Sequence, residues 1–142
     1  MVIEAENIMK VLEHRYPFLL VDRILEFEYE NFAVACKNIS VNEPWASGHF
    51  TGNPIYPGAL LIESSAQTGA FLFYDPQAED HSSKGMLANV ENFKFVRVVK
   101  PGDQIIIKTM LVQKFGNFVK VRVKASVEEK RVAEGELTYV LS

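Results

Sequence analysis

The 142-residue chain has a single cysteine, Cys36, and no excess of basic residues. One cysteine excludes an internal disulfide and favours a reducing compartment, so we expect a cytoplasmic protein. The formal net charge is -3. A general binder of nucleic acid would carry a net positive charge and a basic cluster, so we expect no nucleic-acid partner.

Long apolar runs and metal-ligand spacings are also lacking. No apolar stretch is long enough to span a bilayer, and the N-terminal residues have early acids instead of a signal-peptide pattern. We therefore expect no membrane partner. The three histidines, His14, His49 and His81, are too widely spaced for a metal site, so we expect neither a metal nor another cofactor.

Charge is nearly absent between Phe50 and Tyr74, where Glu63 is the one charged residue. Ionising a carboxyl group in apolar surroundings is costly, so we expect Glu63 to keep its proton near neutral pH. His49 lies just upstream, and an acid that donates with an imidazole that accepts forms a candidate acid–base pair. Two structural roles stay open: His49 could cap backbone groups in its loop, and Glu63 could pair with Arg23.

Hydrophobic periodicity predicts one domain over residues 1–142, of the α+β class. The predicted helices are 3–12 and 58–74, and the predicted strands are 18–29, 32–41, 85–99, 104–113, 118–127 and 131–141. Residues 58–74 are apolar on nearly all sides, which indicates a helix wrapped by an antiparallel sheet. A sheet this short seldom covers such a helix alone, so we expect a dimer whose sheets join edge to edge.

The central segment reads His49-Phe-Thr-Gly-Asn-Pro-Ile-Tyr-Pro-Gly58-Ala-Leu-Leu-Ile-Glu63-Ser-Ser-Ala-Gln67. It resembles the signature of the 3-hydroxyacyl-[acyl-carrier-protein] dehydratases of type II fatty acid synthesis, and residues 14–23, 101–104 and 132–134 resemble the same family. The resemblance implies a hotdog fold and a homodimer, or a trimer of such dimers. It also implies an active site at the dimer interface, with His49 from one subunit and Glu63 from the other.

The reaction that the resemblance implies removes water from a 3-hydroxyacyl chain on acyl carrier protein, giving the trans-2-enoyl thioester. In it, His49 would remove the α-proton and Glu63 would protonate the departing hydroxyl. Backbone N–H groups at the helix N-terminus would stabilise the thioester oxygen, and Gly58 would leave room for the substrate there.

Two further groups of side chains have an open role. Gln67 lies one helical turn after Glu63, where it could orient the carboxyl group or simply be a buried amide bonded to backbone. Lys94, Arg97 and Lys100 lie close together in sequence. They suit contact with an acidic carrier protein, or they form an ordinary solvated strand face. We expect His14 to be a structural loop residue.

The chain departs from the family pattern at several positions. The family usually has proline at Thr51, valine at Ala59, alanine at Ser64, and Arg-Arg-Pro where Val96-Arg97-Val98 stands. Three alternative functions remain. They are a dehydratase that also isomerises the double bond, whose family has aspartate at the position of Glu63, a hotdog thioesterase, and a non-catalytic acyl-binding hotdog module.

Overall fold

The computed structural model describes residues 2–48, 52–81 and 84–142. In chain order the elements are α1 (Ala5–Val11), β1 (Arg23–Glu28), β2 (Phe32–Asn38), a first 3-10 helix (Pro44–Ser47), α2 (Gly58–Gly69), a second 3-10 helix (Ala70–Phe73), β3 (Gly85–Phe95), β4 (Gln104–Phe115), β5 (Phe118–Val127) and β6 (Lys130–Leu141).

Within the described residues, six strands form one antiparallel sheet in the order β1-β2-β4-β5-β6-β3. The alternation in β5 explains its place in the sheet, because Val119, Val121, Val123 and Ala125 are buried between polar or charged neighbours. Their apolar side chains share one core with Leu61 of α2. The predicted α+β class, with an antiparallel sheet around a helix, is confirmed.

Helix α2 begins at Gly58, as predicted, because Pro57 precedes it with extended backbone and its carbonyl accepts the first intrahelical bonds. The α-helix ends at Gly69, so the prediction that it continues to residue 74 was wrong. The buried Tyr139 hydroxyl donates to the Ala66 carbonyl over 2.7 Å and lies where a Cβ at position 69 would be. The chain tightens into a 3-10 helix at this contact.

The single chain encloses only the second half of α2. Residues 64–69 are buried, whereas Ala59 is exposed and Leu60, Ile62 and Glu63 are partly exposed. In the first turns, Leu61 is buried and the ring of Phe95 lies against Gly58, but the remaining faces are not covered by this chain.

Strand β3 forms an edge of the sheet and is exposed along most of its length. The exposed apolar side chains of this strand and the loop after it are Met86, Leu87, Val90, Phe95, Val96 and Val98, with Met86 72 % and Val98 65 % exposed. The opposite edge differs, because Ile3 forms a β-bridge to Ile24 of β1. An apolar, open edge strand invites pairing with another strand.

Candidate active site

Glu63 lies in the second turn of α2, where the exposed first half of the helix meets the buried second half. Its side chain is 24 % exposed in the single chain. This position leaves room for a second group, from substrate or protein, to approach the acid.

Among the described residues, two side chains contact the carboxyl group of Glu63, and both contact the same oxygen. Gln67 donates a hydrogen bond from Nε2 to Oε2 over 3.0 Å. His14 places its Nε2 3.5 Å from Oε2. The expectation that His14 has only a structural role in its loop does not account for this contact.

Gln67 is 1 % exposed and is held on both sides of its amide by the segment before β1. Its Oε1 accepts from the Leu20 N–H over 2.8 Å, and its Nε2 also donates to the Phe18 carbonyl over 2.8 Å. The sequence left open whether this amide bonds to backbone or to Glu63, and in the structure it does both. Gln67 ties the carboxyl group to a fixed segment of backbone.

The loop after α1 carries His14 toward α2. Arg15 donates from its guanidinium to the carbonyls of Met9, Leu12 and His14, which closes the loop on the end of the helix. The imidazole of His14 stacks on Phe18 with ring centroids 6.1 Å apart. This packing presents one edge of the imidazole to Glu63.

Arg23 does not pair with Glu63, so that alternative from sequence is wrong. Its Nε donates to Glu4 over 3.0 Å, with both side chains about half exposed. The neighbouring Asp22 accepts from the Asn38 N–H instead of pairing with Arg23. Because successive residues of an extended segment point to opposite sides, Asp22 and Arg23 reach different partners.

At the N-terminus of α2, the ring of Phe95 lies against Gly58. A Cβ at position 58 would come 3.0 Å from the ring, so the lack of a side chain makes room for Phe95. The expectation that this space is free for substrate is therefore not met on that side of the residue. Because α2 begins here, the first backbone N–H groups of the helix have no intrahelical carbonyl to donate to.

A buried hydroxyl pair lies beside Glu63. The Tyr56 hydroxyl is 2.9 Å from Oγ of Ser64, which is fully buried. Burial raises the pKa of the Tyr56 hydroxyl despite its hydrogen bond to Ser64. Tyr56 therefore keeps its proton at neutral pH and serves as a hydrogen-bonding group, not as a base.

A cavity of about 420 Å³ lies near the end of α2, and His14 is one of the residues that line it. Charged side chains line it, among them the Glu13–Lys84 and Glu30–Lys114 ion pairs. Apolar side chains line much of the rest, among them Leu72, Phe73, Leu111 and Leu141. Across residues 2–48, 52–81 and 84–142, no three His, Cys, Asp or Glu side chains meet as a metal ion would require.

A family model described as a FabA-like domain matches residues 12–136. The chain belongs to the FabA-like family. It is 41% identical over 138 residues to the 3-hydroxyacyl-[acyl-carrier-protein] dehydratase FabZ of Caldicellulosiruptor saccharolyticus, covering 97% of this chain and 98% of that protein. It is 43% identical to the protein of the same name from Syntrophobacter fumaroxidans, covering 94% and 90%.

Solved structures support the hotdog fold of this FabA-like chain. The dehydratase heterocomplex ApeI:P from Xenorhabdus doucetiae matches with a TM-score of 0.74 and 18% identity, covering 95% of this chain and 90% of the other. A hot-dog-like protein from Thermanaerovibrio acidaminovorans matches with a TM-score of 0.66 and 17% identity, covering 82% and 84%. At these identities the likeness concerns the fold alone.

His49, the second residue of the predicted acid–base pair, lies outside the described residues. The structure describes the segment that leads toward it. Lys37, which is 5 % exposed, donates to Glu43 over 2.6 Å and to the Asn38 carbonyl, and Glu43 also accepts from the Ser40 N–H. This buried ion pair holds the turn that precedes the first 3-10 helix, Pro44–Ser47.

The three basic residues proposed from sequence are all exposed. Lys94 lies near the end of β3, and Arg97 and Lys100 follow in the loop toward β4. The Lys100 N–H donates to Asp103, so this loop is closed by a local turn. Their side chains face solvent on the same stretch of chain as the exposed apolar residues of β3.

In this FabA-like chain, the sequence did not predict that His14 contacts Glu63. This contact joins two segments that are distant along the chain. The His14-Arg-Tyr-Pro-Phe18 stretch resembles the family, and this resemblance was the one signal in the sequence that pointed to His14.

None of the helices in the described residues is long and apolar enough to cross a membrane.

Proposed function

We infer that the chain is a 3-hydroxyacyl-[acyl-carrier-protein] dehydratase, a hydro-lyase of fatty acid biosynthesis. Identity of about 40% over nearly the whole length to several proteins of that name supports this function. The structural observation that carries it is Glu63, a partly exposed carboxyl group fixed at one oxygen by the buried Gln67. An acid held in this way is suited to proton transfer to one defined substrate atom.

In the reaction, the C–H bond α to the thioester breaks and its proton passes to His49. The C3–O bond then breaks, and the hydroxyl leaves as water with a proton from Glu63. The electron pair of the C–H bond becomes the new double bond, so no electrons are gained or lost. The family resemblance and the acid–base chemistry of imidazole support the role of His49.

Negative charge develops on the thioester oxygen as the α-proton leaves. The N-terminus of α2 provides backbone N–H groups from Gly58 and Ala59 and the positive end of the helix dipole. One donor of this kind contributes about 3 kcal/mol in comparable sites. The N–H groups that stabilise the enolate and the acid Glu63 both belong to α2. One rigid helix therefore positions the oxyanion donors relative to the proton donor.

The active form in this proposal is a homodimer joined along β3. Its support is the open edge of that strand and the apolar side chains exposed on it. The half-exposed first turns of α2 would be covered by the second subunit, which would bring its own His49 to this Glu63. A trimer of such dimers stays a prediction.

The substrate is carried by acyl carrier protein, and Lys94, Arg97 and Lys100 form the proposed contact. All three are exposed, and basic side chains attract an acidic partner through long-range electrostatics. This chain has Val96-Arg97-Val98 where the family usually has Arg-Arg-Pro. We therefore expect its affinity for the carrier protein to depend less on salt concentration than it would with a second arginine. The cytoplasmic location stays a prediction.

The test is the product formed from a 3-hydroxyacyl-carrier thioester by the purified chain, followed by mass spectrometry. Loss of one water is expected, and nuclear magnetic resonance of the released acyl group should show the 2-enoyl double bond. Free acid would indicate a thioesterase, a 3-enoyl product an isomerase, and unchanged substrate an acyl-binding module. Each of these three results contradicts the proposal.

A further inference from the structure

We propose that His14 is a positioning residue for Glu63, which holds Oε2 of the carboxyl group so that Oε1 carries the proton to substrate. The inference rests on the proposed function, because it assigns a second partner to the acid of that reaction. Its basis is that His14 and Gln67 approach the same oxygen from two different segments, the loop after α1 and α2 itself.

The shared oxygen decides where the acidic proton lies. In a neutral carboxylic acid, one oxygen carries the hydrogen and the other accepts hydrogen bonds. Gln67 donates to Oε2, so in the neutral acid Oε2 is the accepting oxygen. The hydrogen then belongs on Oε1, and a second donor at Oε2 makes the reverse arrangement still less favourable.

The surroundings of His14 select the nitrogen that carries its hydrogen. Within the part of the chain that the structure describes, Nδ1 is buried and has no hydrogen-bond partner. A hydrogen on Nδ1 would be a buried donor without an acceptor, which is costly. The favoured tautomer therefore carries its hydrogen on Nε2, the nitrogen 3.5 Å from Glu63. Contacts of catalytic groups are often this long in structures without substrate.

His14 differs from Gln67 in what else it does. Gln67 is buried and bonds to the backbone at Phe18 and Leu20, so its removal disturbs the fold as well as the acid. The His14 side chain is 37 % exposed, and its one polar contact is with Glu63 in the described residues. A change at His14 should therefore affect catalysis with little effect on folding.

The experiment compares His14→Leu, which lacks a donor, with His14→Gln, which keeps an N–H at a similar reach. Steady-state kinetics with a 3-hydroxyacyl-carrier substrate should show kcat lowered about tenfold in His14→Leu, with KM changed less than about twofold, as for the loss of one hydrogen bond to a charged or acidic group. His14→Gln should recover most of the rate. Wild-type kcat in His14→Leu, or equal losses in both variants, would overturn the proposal.

Two controls separate this inference from the proposed function. If Glu63→Gln is inactive while His14→Leu is fully active, only the role of His14 is wrong. If Glu63→Gln keeps full rate, the role of Glu63 is wrong and that of His14 is overturned with it. Independently of activity, a ¹⁵N spectrum of the His14 imidazole should show the hydrogen on Nε2, and a hydrogen on Nδ1 would contradict the assignment.

Discussion

Gln67 Nε2 lies 3.0 Å from Oε2 of Glu63 and also donates to the Phe18 carbonyl. One amide thus links the acid on α2 to the backbone before β1. The same amide accepts from the buried Leu20 N–H, which stabilises the fold, and donates to Glu63, which fixes the acid. Substitution at Gln67 should therefore reveal both effects.

Gln67→Leu should lower the free energy of unfolding by about 2 to 3 kcal/mol, because the Leu20 N–H and Phe18 carbonyl lose their partner. The dehydration rate should also fall, measured well below the unfolding midpoint. Urea unfolding and kcat are the two measurements. Gln77→Leu is the matched control, since the Gln77 side chain is exposed in the loop after α2. Equal stability of the two variants would contradict the proposed link.

The hydroxyl pair of Tyr56 and Ser64 gives a prediction at a position where the family usually has alanine. Ser64→Ala should cost about 1 kcal/mol, because the buried Tyr56 hydroxyl loses its partner at 2.9 Å. Tyr56→Phe removes the hydroxyl itself, so the double variant should be less destabilised than the sum of the single variants. Strict additivity in unfolding experiments would show that the two hydroxyls do not interact.

The open edge of β3 gives a prediction about assembly. Val90→Lys places a charge on the exposed edge strand and should yield monomers with little dehydratase activity, because in the proposed dimer each site takes residues from two subunits. Val112→Lys, on β4, is the control at a valine of similar exposure. Sedimentation velocity measures the mass of each variant. A Val90→Lys protein that stays dimeric and active would place the interface elsewhere.

Alkaline pH should destabilise the protein through its buried tyrosines. Burial raises the pKa of the Tyr139 hydroxyl above its ordinary value of about 10. The stabilising contribution is complete below pH about 10 and is lost above it, because the unfolded chain releases the proton that the folded chain retains. Urea unfolding near neutral pH and near pH 11 should show a smaller loss for Tyr139→Phe than for wild type. If wild type and Tyr139→Phe lose the same free energy of unfolding at pH 11, groups other than Tyr139 cause the alkaline destabilisation.

The strands and the start of α2 were predictable from sequence because local patterns determine them. Alternation in β5 and Pro57 before α2 are visible in any short window. The start of β1 was not predictable in this way. A strand was expected from residue 18, but it begins at Arg23, because Gln67 takes the backbone groups of Phe18 and Leu20. Only the folded chain brings these residues together.

The candidate site was predictable in part for the same reason. The isolated charge of Glu63 in an apolar segment is a local signal, and so is the spacing of Gln67 one turn later. The contact of His14 with Glu63 and the packing of Phe95 on Gly58 join distant segments. Tertiary contacts of this kind have no periodic pattern. From the sequence, His14 was therefore expected to be a structural loop residue, and the packing of Phe95 on Gly58 was not predicted.

The most direct test of the account is the rate of Glu63→Gln, which keeps the shape of the side chain but cannot donate an acidic proton. Its kcat for dehydration of a 3-hydroxyacyl-carrier thioester should fall about 10² to 10⁴-fold, with an unchanged melting temperature. Glu129→Gln, at an exposed turn, should keep the wild-type rate. A Glu63→Gln protein that dehydrates this substrate as fast as wild type would contradict the central claim.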